Sequence, residues 1–241
     1  MTAYTERPLI FGKTIKVDDR CIVAIGKNWG QGIVYGRPAL EFFFDKAKDI
    51  KDPVIFDVGA NIGAFSMISK FLDKSKIYAF EPQPNIYDIL KSNMIINELD
   101  RVFCHNIALS NVTGETKMSV PTRKDFSGLG TLSLNPLRFS NKDVIDIKCD
   151  TLDNFCNCNH IEKIDLMKID TEGYENNILL GGMETIKKFK PKILMEFAPE
   201  NIKQCGIVPS QIISLLKTIG YKYEEHPIGE EDIFCEYVEK G

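Results

Sequence analysis

The sequence predicts an α/β domain built on a doubly wound, mainly parallel sheet. From residue 53 onward, short apolar runs alternate with segments of helical periodicity, and such runs are typical of strands buried on both faces. This alternation places the strands in one sheet, because each helix carries the chain back across it. With 44% hydrophobic and 27% charged residues, the 241-residue chain can form a packed core.

Local signals divide this pattern into elements. Prolines at 38, 84 and 209 begin predicted helices, and Gly220 ends the last one. We predict strands at residues 15–17, 21–25, 54–58, 76–80, 102–109, 115–120, 144–148, 164–169, 192–197, 221–224 and 233–238. We predict helices at residues 38–50, 63–71, 84–96, 174–180, 183–189 and 209–219. The last two strands have no room for a crossover helix between them, so they must be antiparallel to each other.

Composition and charge exclude several classes of protein. The formal net charge of −4 argues against a nucleic-acid-binding protein, which needs a clustered basic face. No apolar run approaches the roughly 20 residues that cross a bilayer, and no export signal precedes the domain, so we expect a cytoplasmic protein. Residues 1–50 differ in character, and we predict an N-terminal extension that caps residues 51–241 or contacts a second subunit in a homodimer.

The predicted strand at 54–58 ends in a glycine turn, Asp57-Val58-Gly59-Ala60-Asn61-Ile62-Gly63. Gly59 and Gly63 permit a tight turn and a close approach of the backbone to a ligand. Amides at the start of the following helix favour a carboxylate or a phosphate. In a doubly wound sheet, ligands bind at this carboxyl edge, where the strand order reverses.

Two acidic residues narrow the ligand to an adenosine-type nucleotide. Glu81 ends the next strand and follows Gly59 by about 20 residues, the spacing at which a carboxylate reaches ribose hydroxyls. A dinucleotide fingerprint would have glycine where Asn61 stands, although Ala64 could replace its third glycine. Asp57 suits an ammonium group and is unfavourable beside a pyrophosphate. The simpler alternative is that Asp57 only caps the helix.

A second constellation follows the predicted strand at 164–169. Asp170 emerges at the same carboxyl edge, Glu172 lies two residues on, and Glu196 comes near the end of the strand at 192–197. Converging carboxylates are costly unless they meet cations or a ligand, and Lys168 could supply one cation. Carboxylates in such surroundings suit a general base. Asp170 and Glu172 could instead be helix caps.

These motifs together resemble the FkbM family of class I methyltransferases. The matching segments are 57–63, 79–82, 106–110, 151–153, 168–175 and 193–197, and the resemblance covers about residues 53–200. It implies a seven-stranded Rossmann-like methyltransferase sheet with S-adenosyl-L-methionine as donor. It implies that the turn residues Asp57, Gly59, Ala60, Asn61 and Gly63 bind the methionine part of the donor. Glu81 would hold the ribose, Asn106 and Ala108 would lie near the adenine, and Asp170 would face the methyl group.

We interpret the chain as an O-methyltransferase that transfers the methyl group in line to a hydroxyl of a small molecule, most simply a sugar or nucleotide-linked sugar. Asp170 is the first candidate base, followed by Glu196 and Glu172, with His226 more remote. A divalent cation bridging Asp170 and Glu172 is conceivable but is not predicted. N-methylation, an NAD-binding oxidoreductase and a non-catalytic nucleotide-binding module remain alternatives.

The long loop at 121–143 is predicted to be a lid or a substrate-binding segment. Arg123, Lys124 and Arg138 on this loop could meet an anionic group such as the phosphate of a nucleotide sugar. A solvated loop is the alternative.

Overall fold

The computed structural model describes residues 3–20, 37–122, 130–132, 142–225, 227–228 and 231–239. Its strands are β1 Tyr4–Pro8, β2 Thr14–Asp18, β3 Val54–Val58, β4 Lys76–Phe80, β5 Val102–His105, β6 Ala108–Ser110, β7 Gly114–Pro121, β8 Lys142–Thr151, β9 Leu166–Ile169, β10 Lys192–Glu196, β11 Tyr221–Glu225 and β12 Asp232–Tyr237. Its α-helices are α1 Arg37–Ala47, α2 Pro84–Ile96, α3 Leu152–Cys158, α4 Glu175–Gly181, α5 Met183–Phe189, α6 Pro199–Gln204 and α7 Pro209–Thr218.

A seven-stranded sheet forms the centre of the fold, with the order β11-β12-β10-β9-β3-β4-β5. Neighbouring strands in the run β10-β9-β3-β4-β5 are all parallel, whereas β12 is antiparallel to both β10 and β11. The predicted doubly wound, mainly parallel sheet and its antiparallel end are therefore confirmed. The chain leaves β3 toward β4 and leaves β9 toward β10, on opposite sides, so the strand order reverses between β3 and β9. A ligand crevice is expected at their carboxyl ends.

The central strands are buried on both faces, which explains their continuous apolar sequences. Ile55 of β3 belongs to the core on one side of the sheet, which also includes residues of α1 and α2. The next residue, Phe56, belongs to the core on the other side, with residues of α3, α4, α5 and α7. Because both faces are covered, the carboxyl edge of the sheet is where polar side chains can meet a ligand.

The N-terminal residues pack on the domain rather than apart from it. Leu9 and Ile15 of the β1–β2 hairpin lie in the same core cluster as Ile55 of the central sheet. Two asparagines hold the hairpin, Asn93 within α2 and Asn97 directly after it. Asn93 Oδ1 accepts a hydrogen bond from the Asp18 amide at 2.8 Å, and Asn97 Oδ1 accepts one from the Lys16 amide at 2.9 Å. The described part of residues 1–50 thus shares the domain core, and its role as a cap or an oligomer contact stays a prediction.

Several predicted elements have different bounds in the structure. The helix expected at 63–71 is a 3₁₀ helix confined to Ser66–Phe71, because residues 59–63 form the turn. The single strand expected at 102–109 is two strands, β5 and β6, which belong to different sheets. Strand β6 pairs with β8, and β8 pairs with β7, in a separate three-stranded sheet. Strand β1 and helices α3 and α6 were not predicted, and the strand expected at 21–25 lies outside the described residues. None of the helices in the described ranges combines the length and apolarity required to span a bilayer.

Candidate active site

The glycine turn after β3 and the loop after β9 touch at the point where the strand order reverses. Gly59 has a φ of 75°, and a Cβ at this position would collide with the backbone oxygen of Asp170. Only glycine permits this approach without moving one backbone away from the other. Gly63, with a φ of 92°, faces α2 instead, where a Cβ would lie 2.6 Å from Leu90 Cδ1. The two glycines thus allow the turn after β3 to pack closely between the loop after β9 on one side and α2 on the other.

Glu81 closes the turn from the neighbouring strand. Its Oε2 accepts a hydrogen bond from the Asn61 amide at 3.0 Å, and its Oε1 accepts one from the Gln83 amide at 2.8 Å. Asn61 adopts the left-handed conformation, with a φ of 53°. Burial raises the pKa of Glu81 to about 7, although both backbone hydrogen bonds act to lower it. A carboxylate has about four acceptor positions, so Glu81 retains the capacity to accept hydrogen bonds from a diol.

Asn106 supports the end of β4. Its Nδ2 donates hydrogen bonds to the backbone oxygens of Glu81 at 2.9 Å and Pro82 at 3.0 Å. Ala108 lies in β6 opposite Cys149 and packs in the small core of the three-stranded sheet, with 5% of its surface exposed. Asn106 therefore holds the segment that carries Glu81. The predicted contacts of Asn106 and Ala108 with an adenine ring stay predictions.

Asp57 and Lys168 are cross-strand neighbours on β3 and β9. Asp57 is 1% exposed, and its Oδ2 accepts a hydrogen bond from Ser66 Oγ at 2.6 Å. Its Oδ1 lies 3.7 Å from the ammonium nitrogen of Lys168. Burial raises the pKa of Asp57, and the charge of Lys168 and the hydrogen bond from Ser66 oppose that rise. Asp57 is therefore a buried carboxyl group beside the turn, and its contact with the donor stays a prediction.

The side chain of Lys168 connects the two loops of the site. Its Nζ donates a hydrogen bond to the Gly59 carbonyl at 2.9 Å and lies 3.3 Å from Asp170 Oδ2. The same nitrogen lies 5.0 Å from the centre of the Phe65 ring. Burial acts to lower the pKa of Lys168, but the carboxylates of Asp170 and Asp57 outweigh it and the pKa is raised. The sequence indicated a cation here but did not show which groups it contacts.

The structure brings the three predicted carboxylates together. Asp170, Glu172 and Glu196 can each offer one oxygen atom such that these atoms all lie within 4.8 Å of one another. The side chain of Asp170 is 42% exposed, so it is open to an acceptor. Such a group can serve as a general base or can hold a divalent cation. Lys168 already places a positive charge beside Asp170, and the catalytic roles of the three carboxylates stay predictions.

Glu175 holds the loop after β9 that carries Asp170 and Glu172, a role that was not predicted from the sequence. Its Oε1 accepts hydrogen bonds from the Thr171 amide at 3.0 Å, the Thr171 hydroxyl at 2.9 Å and the Gly173 amide at 3.2 Å. Glu175 is fully buried, and burial raises its pKa. The loop also requires Glu172 to adopt a φ of 59°. An acidic residue in the first turn of a helix was the available signal, since it can accept hydrogen bonds from free amides.

Glu172 is further fixed by two neighbours. Its Oε2 accepts a hydrogen bond from Asn201 Nδ2 at 3.0 Å, and its carbonyl accepts one from the Thr131 hydroxyl at 3.1 Å. Helix α4 begins at Glu175 and its N-cap is Tyr174, so Glu172 lies in the turn before the helix and is not its cap, which was the alternative to a catalytic role. Arg123, Lys124, Arg138 and His226, predicted as substrate or base residues, lie outside the described residues.

The fold and the site define a class of protein, the Rossmann-like methyltransferases. The model of the methyltransferase FkbM domain matches residues 57–223, which include the glycine turn, Glu81 and the loop after β9. The chain therefore belongs to the FkbM family of methyltransferases, as the resemblance in its motifs implied.

Individual relatives and a solved structure agree with this assignment. The chain is 29% identical over 180 residues to the 2-O-methyltransferase NoeI of Sinorhizobium fredii, covering 68% of this chain and 71% of NoeI. It is 24% identical over 188 residues to the hexuronic acid methyltransferase AglP of Haloferax volcanii, covering 76% of this chain and 70% of AglP. It also superposes on the crystal structure of methyltransferase FkbM from Methylobacillus flagellatus with a TM-score of 0.50 at 15% identity, covering 77% of this chain and 44% of that one. The last likeness shows the fold.

Proposed function

We propose that this methyltransferase uses S-adenosylmethionine to methylate a hydroxyl group of a small molecule, foremost a sugar or glycan precursor. The observation that carries the proposal is a pair of buried carboxyl groups, Asp57 and Glu81, which end adjacent strands and flank one glycine turn. The acceptor class is supported by the family and by two relatives, one named as a 2-O-methyltransferase and one as a hexuronic acid methyltransferase.

The residues of the crevice fit this donor chemically. Glu81 can accept hydrogen bonds from a ribose diol while it keeps those from the backbone amides of Asn61 and Gln83. Asp57 and Asp170 place two carboxyl groups beside one lysine, which leaves this part of the site negative and suited to a cationic ligand. The same charge is unfavourable for the pyrophosphate of a dinucleotide, which argues against an NAD-binding oxidoreductase.

When bound, the donor supplies a methyl group on a positively charged sulfur atom. The turn and Glu81 would orient this methyl group toward the exposed side of the crevice, where alignment with the acceptor oxygen contributes much of the rate. Asp170 would accept the hydroxyl proton as the new oxygen–carbon bond forms and the carbon–sulfur bond breaks. General-base catalysis of this kind contributes roughly 10²–10⁴-fold. Glu196 and Glu172 lie close enough to Asp170 to replace it in this role.

Binding and turnover can be tested separately. Calorimetry of the purified protein with S-adenosylhomocysteine, and with NAD as the comparison, tests the donor. Methyl transfer from labelled S-adenosylmethionine to a panel of sugars, uronic acids and nucleotide-linked sugars tests the acceptor. We expect binding of the demethylated donor and not of NAD, and label recovered on an oxygen atom. Absence of binding to S-adenosylhomocysteine would overturn the donor, and label recovered on nitrogen would replace O-methylation with N-methylation.

The Asp170→Ala variant tests the base. We expect turnover to fall by roughly 10²–10⁴-fold while the affinity for S-adenosylhomocysteine stays close to that of the wild type. Glu196→Gln and Glu172→Gln serve as matched variants within the same carboxylate group. Unchanged turnover in Asp170→Ala together with a large loss in one of the other two would transfer the role of base to that residue.

A further inference from the structure

We propose that Lys168 is the positioning residue of the transfer site. Its ammonium group holds the Gly59 carbonyl of the donor-binding turn and the Asp170 carboxylate of the candidate base at a set separation across the β3–β9 crevice. This inference rests on the proposed function, because it takes the turn to bind the donor and Asp170 to face the acceptor.

Among the described residues, Lys168 contacts the two loops of the site and the aromatic ring beside the turn. One short hydrogen bond, at 2.9 Å, goes to the Gly59 carbonyl, and one ion pair, at 3.3 Å, goes to Asp170. The centre of the ring of Phe65, which directly precedes the 3₁₀ helix, lies 5.0 Å from Nζ, within the range of a cation–π contact. The side chain is only 7% exposed, so its charge is costly unless these partners are kept.

A purely structural role would make Lys168 the counter-ion of buried Asp57. The distances favour the other partners: Asp57 Oδ1 lies 3.7 Å from Nζ, which is beyond hydrogen-bond distance, whereas the contacts with Gly59 and Asp170 are both shorter. Asp57 also receives its 2.6 Å hydrogen bond from Ser66. The ammonium group is therefore bound more closely to the turn after β3 and the loop after β9 than to Asp57, the residue beside it in the sheet.

The shape of the ammonium group matters as well as its charge. Lysine carries three donors on a compact, roughly tetrahedral group, whereas arginine has a planar fork that prefers paired contacts. Asp57 and Gly59 approach Nζ from β3 and the turn after it, and Asp170 approaches it from the loop after β9, so three separate acceptors lie near the compact ammonium group. Arginine at this position would keep the positive charge and change the separation of the two loops. The two substitutions therefore separate charge from positioning.

The test compares Lys168→Met, Lys168→Arg and the surface control Lys222→Met, whose side chain is 67% exposed. At saturating donor and acceptor, we expect kcat to fall about 100-fold in Lys168→Met, the size of loss that a misplacement of about 1 Å can cause. The Kd for S-adenosylhomocysteine should weaken by less than about tenfold, since Glu81 is untouched. Lys168→Arg should regain affinity but not kcat, and Lys222→Met should match the wild type.

Wild-type kcat in Lys168→Met, or full recovery of kcat in Lys168→Arg, would overturn the inference. If Lys168→Met does not fold, because Asp57 is left without its neighbouring charge, the comparison is made between Asp57→Asn and the double variant Asp57→Asn/Lys168→Met. These two proteins share the same altered residue at position 57, and neither has a buried carboxylate there that would need the charge of Lys168. A kcat equal in both would overturn the inference, and a lower kcat in the double variant supports it.

A second measurement needs no ligand. Amide hydrogen exchange should become faster in Lys168→Met at residues 59–63 and 170–173, the two loops that Lys168 joins, and remain unchanged in β12. Unchanged exchange in both loops would overturn the positioning role whatever the site binds. Failure of the wild type to bind S-adenosylhomocysteine, with faster exchange in the variant, would overturn the proposed donor and leave the positioning role supported.

Discussion

Binding of the donor product should depend on the ionisation of Glu81. Burial raises the pKa of this carboxyl group to about 7 from an ordinary value of 4.5. About a tenth of the Glu81 side chains are then ionised at pH 6 and about nine tenths at pH 8. A diol donates its hydrogen bonds to the ionised form, so we predict that S-adenosylhomocysteine binds about tenfold more tightly at pH 8 than at pH 6.

Calorimetry at pH 6, 7 and 8 measures this change, and a pair of buffers with different ionisation enthalpies at pH 7 counts the proton released. The Glu81→Gln variant should bind more weakly at pH 8 and lose the dependence on pH, because glutamine keeps the shape of the side chain but cannot ionise. Wild-type affinity that is constant over this range, or the same slope in the variant, would refute the reasoning from burial.

The same group links stability to pH. A folded-state pKa above the ordinary value means that the folded protein binds the proton more tightly than the unfolded chain does. Its contribution therefore favours folding below about pH 4.5 and is lost as the pH rises through about 7. The difference between the folded-state pKa of about 7 and the ordinary value of 4.5 corresponds to about 3 kcal/mol of unfolding free energy at most. Relative to the wild type, the unfolding free energy of Glu81→Gln should rise between pH 5 and pH 8 in urea titrations.

Three further predictions concern the scaffold of the site and its dependence on metal ions. Gly59→Ala should lower the unfolding free energy by about 2 kcal/mol or more, because its Cβ would meet the Asp170 carbonyl. The control Gly206→Ala has a similar φ of 78° and no neighbour within 4 Å, so it should be destabilised only by backbone strain. Equal losses of unfolding free energy in urea titrations would contradict this. Glu175→Ala should lower the melting temperature far more than Glu175→Gln, because it leaves buried donors unpaired at about 1–3 kcal/mol each; similar melting temperatures would count against the role of this side chain. Dialysis against a chelator should leave turnover unchanged, because Lys168 already supplies a positive charge to Asp170; recovery of lost turnover on adding Mg²⁺ would show the opposite.

Much of the sheet could be predicted because its signals are local. Strand β3 is a mainly apolar run followed by glycine, and α2 begins at a proline, so neither signal depends on distant residues. Strand β6 could not be separated from β5 in this way. Both are apolar and adjacent, and what separates them is that β6 pairs with β8, about 40 residues farther along the chain. The pairing partner, not the composition, decides to which sheet a strand belongs.

The candidate site likewise has features that local sequence determines and features that depend on the pairing of distant segments. The residue types at the strand ends, Asp57, Glu81 and Asp170, were determined by the sequence, because each lies within or directly after the end of an apolar strand whose carboxyl end must lie at one edge of the sheet. Only the tertiary structure decided that Glu81 binds the amides of Asn61 and Gln83 and that the three predicted base candidates lie together.

The contacts of Lys168 show why side-chain contacts at the site could not be predicted from local sequence. Its nearest polar partner, the Gly59 carbonyl, is 109 positions away in sequence, and the two meet because β9 lies beside β3 in the sheet. Strand order is decided by which arrangement buries both apolar faces at once, a property of the whole chain. Local sequence therefore determines which chemical groups are present at the edge of the sheet, and the global packing of the strands determines which of them come into contact.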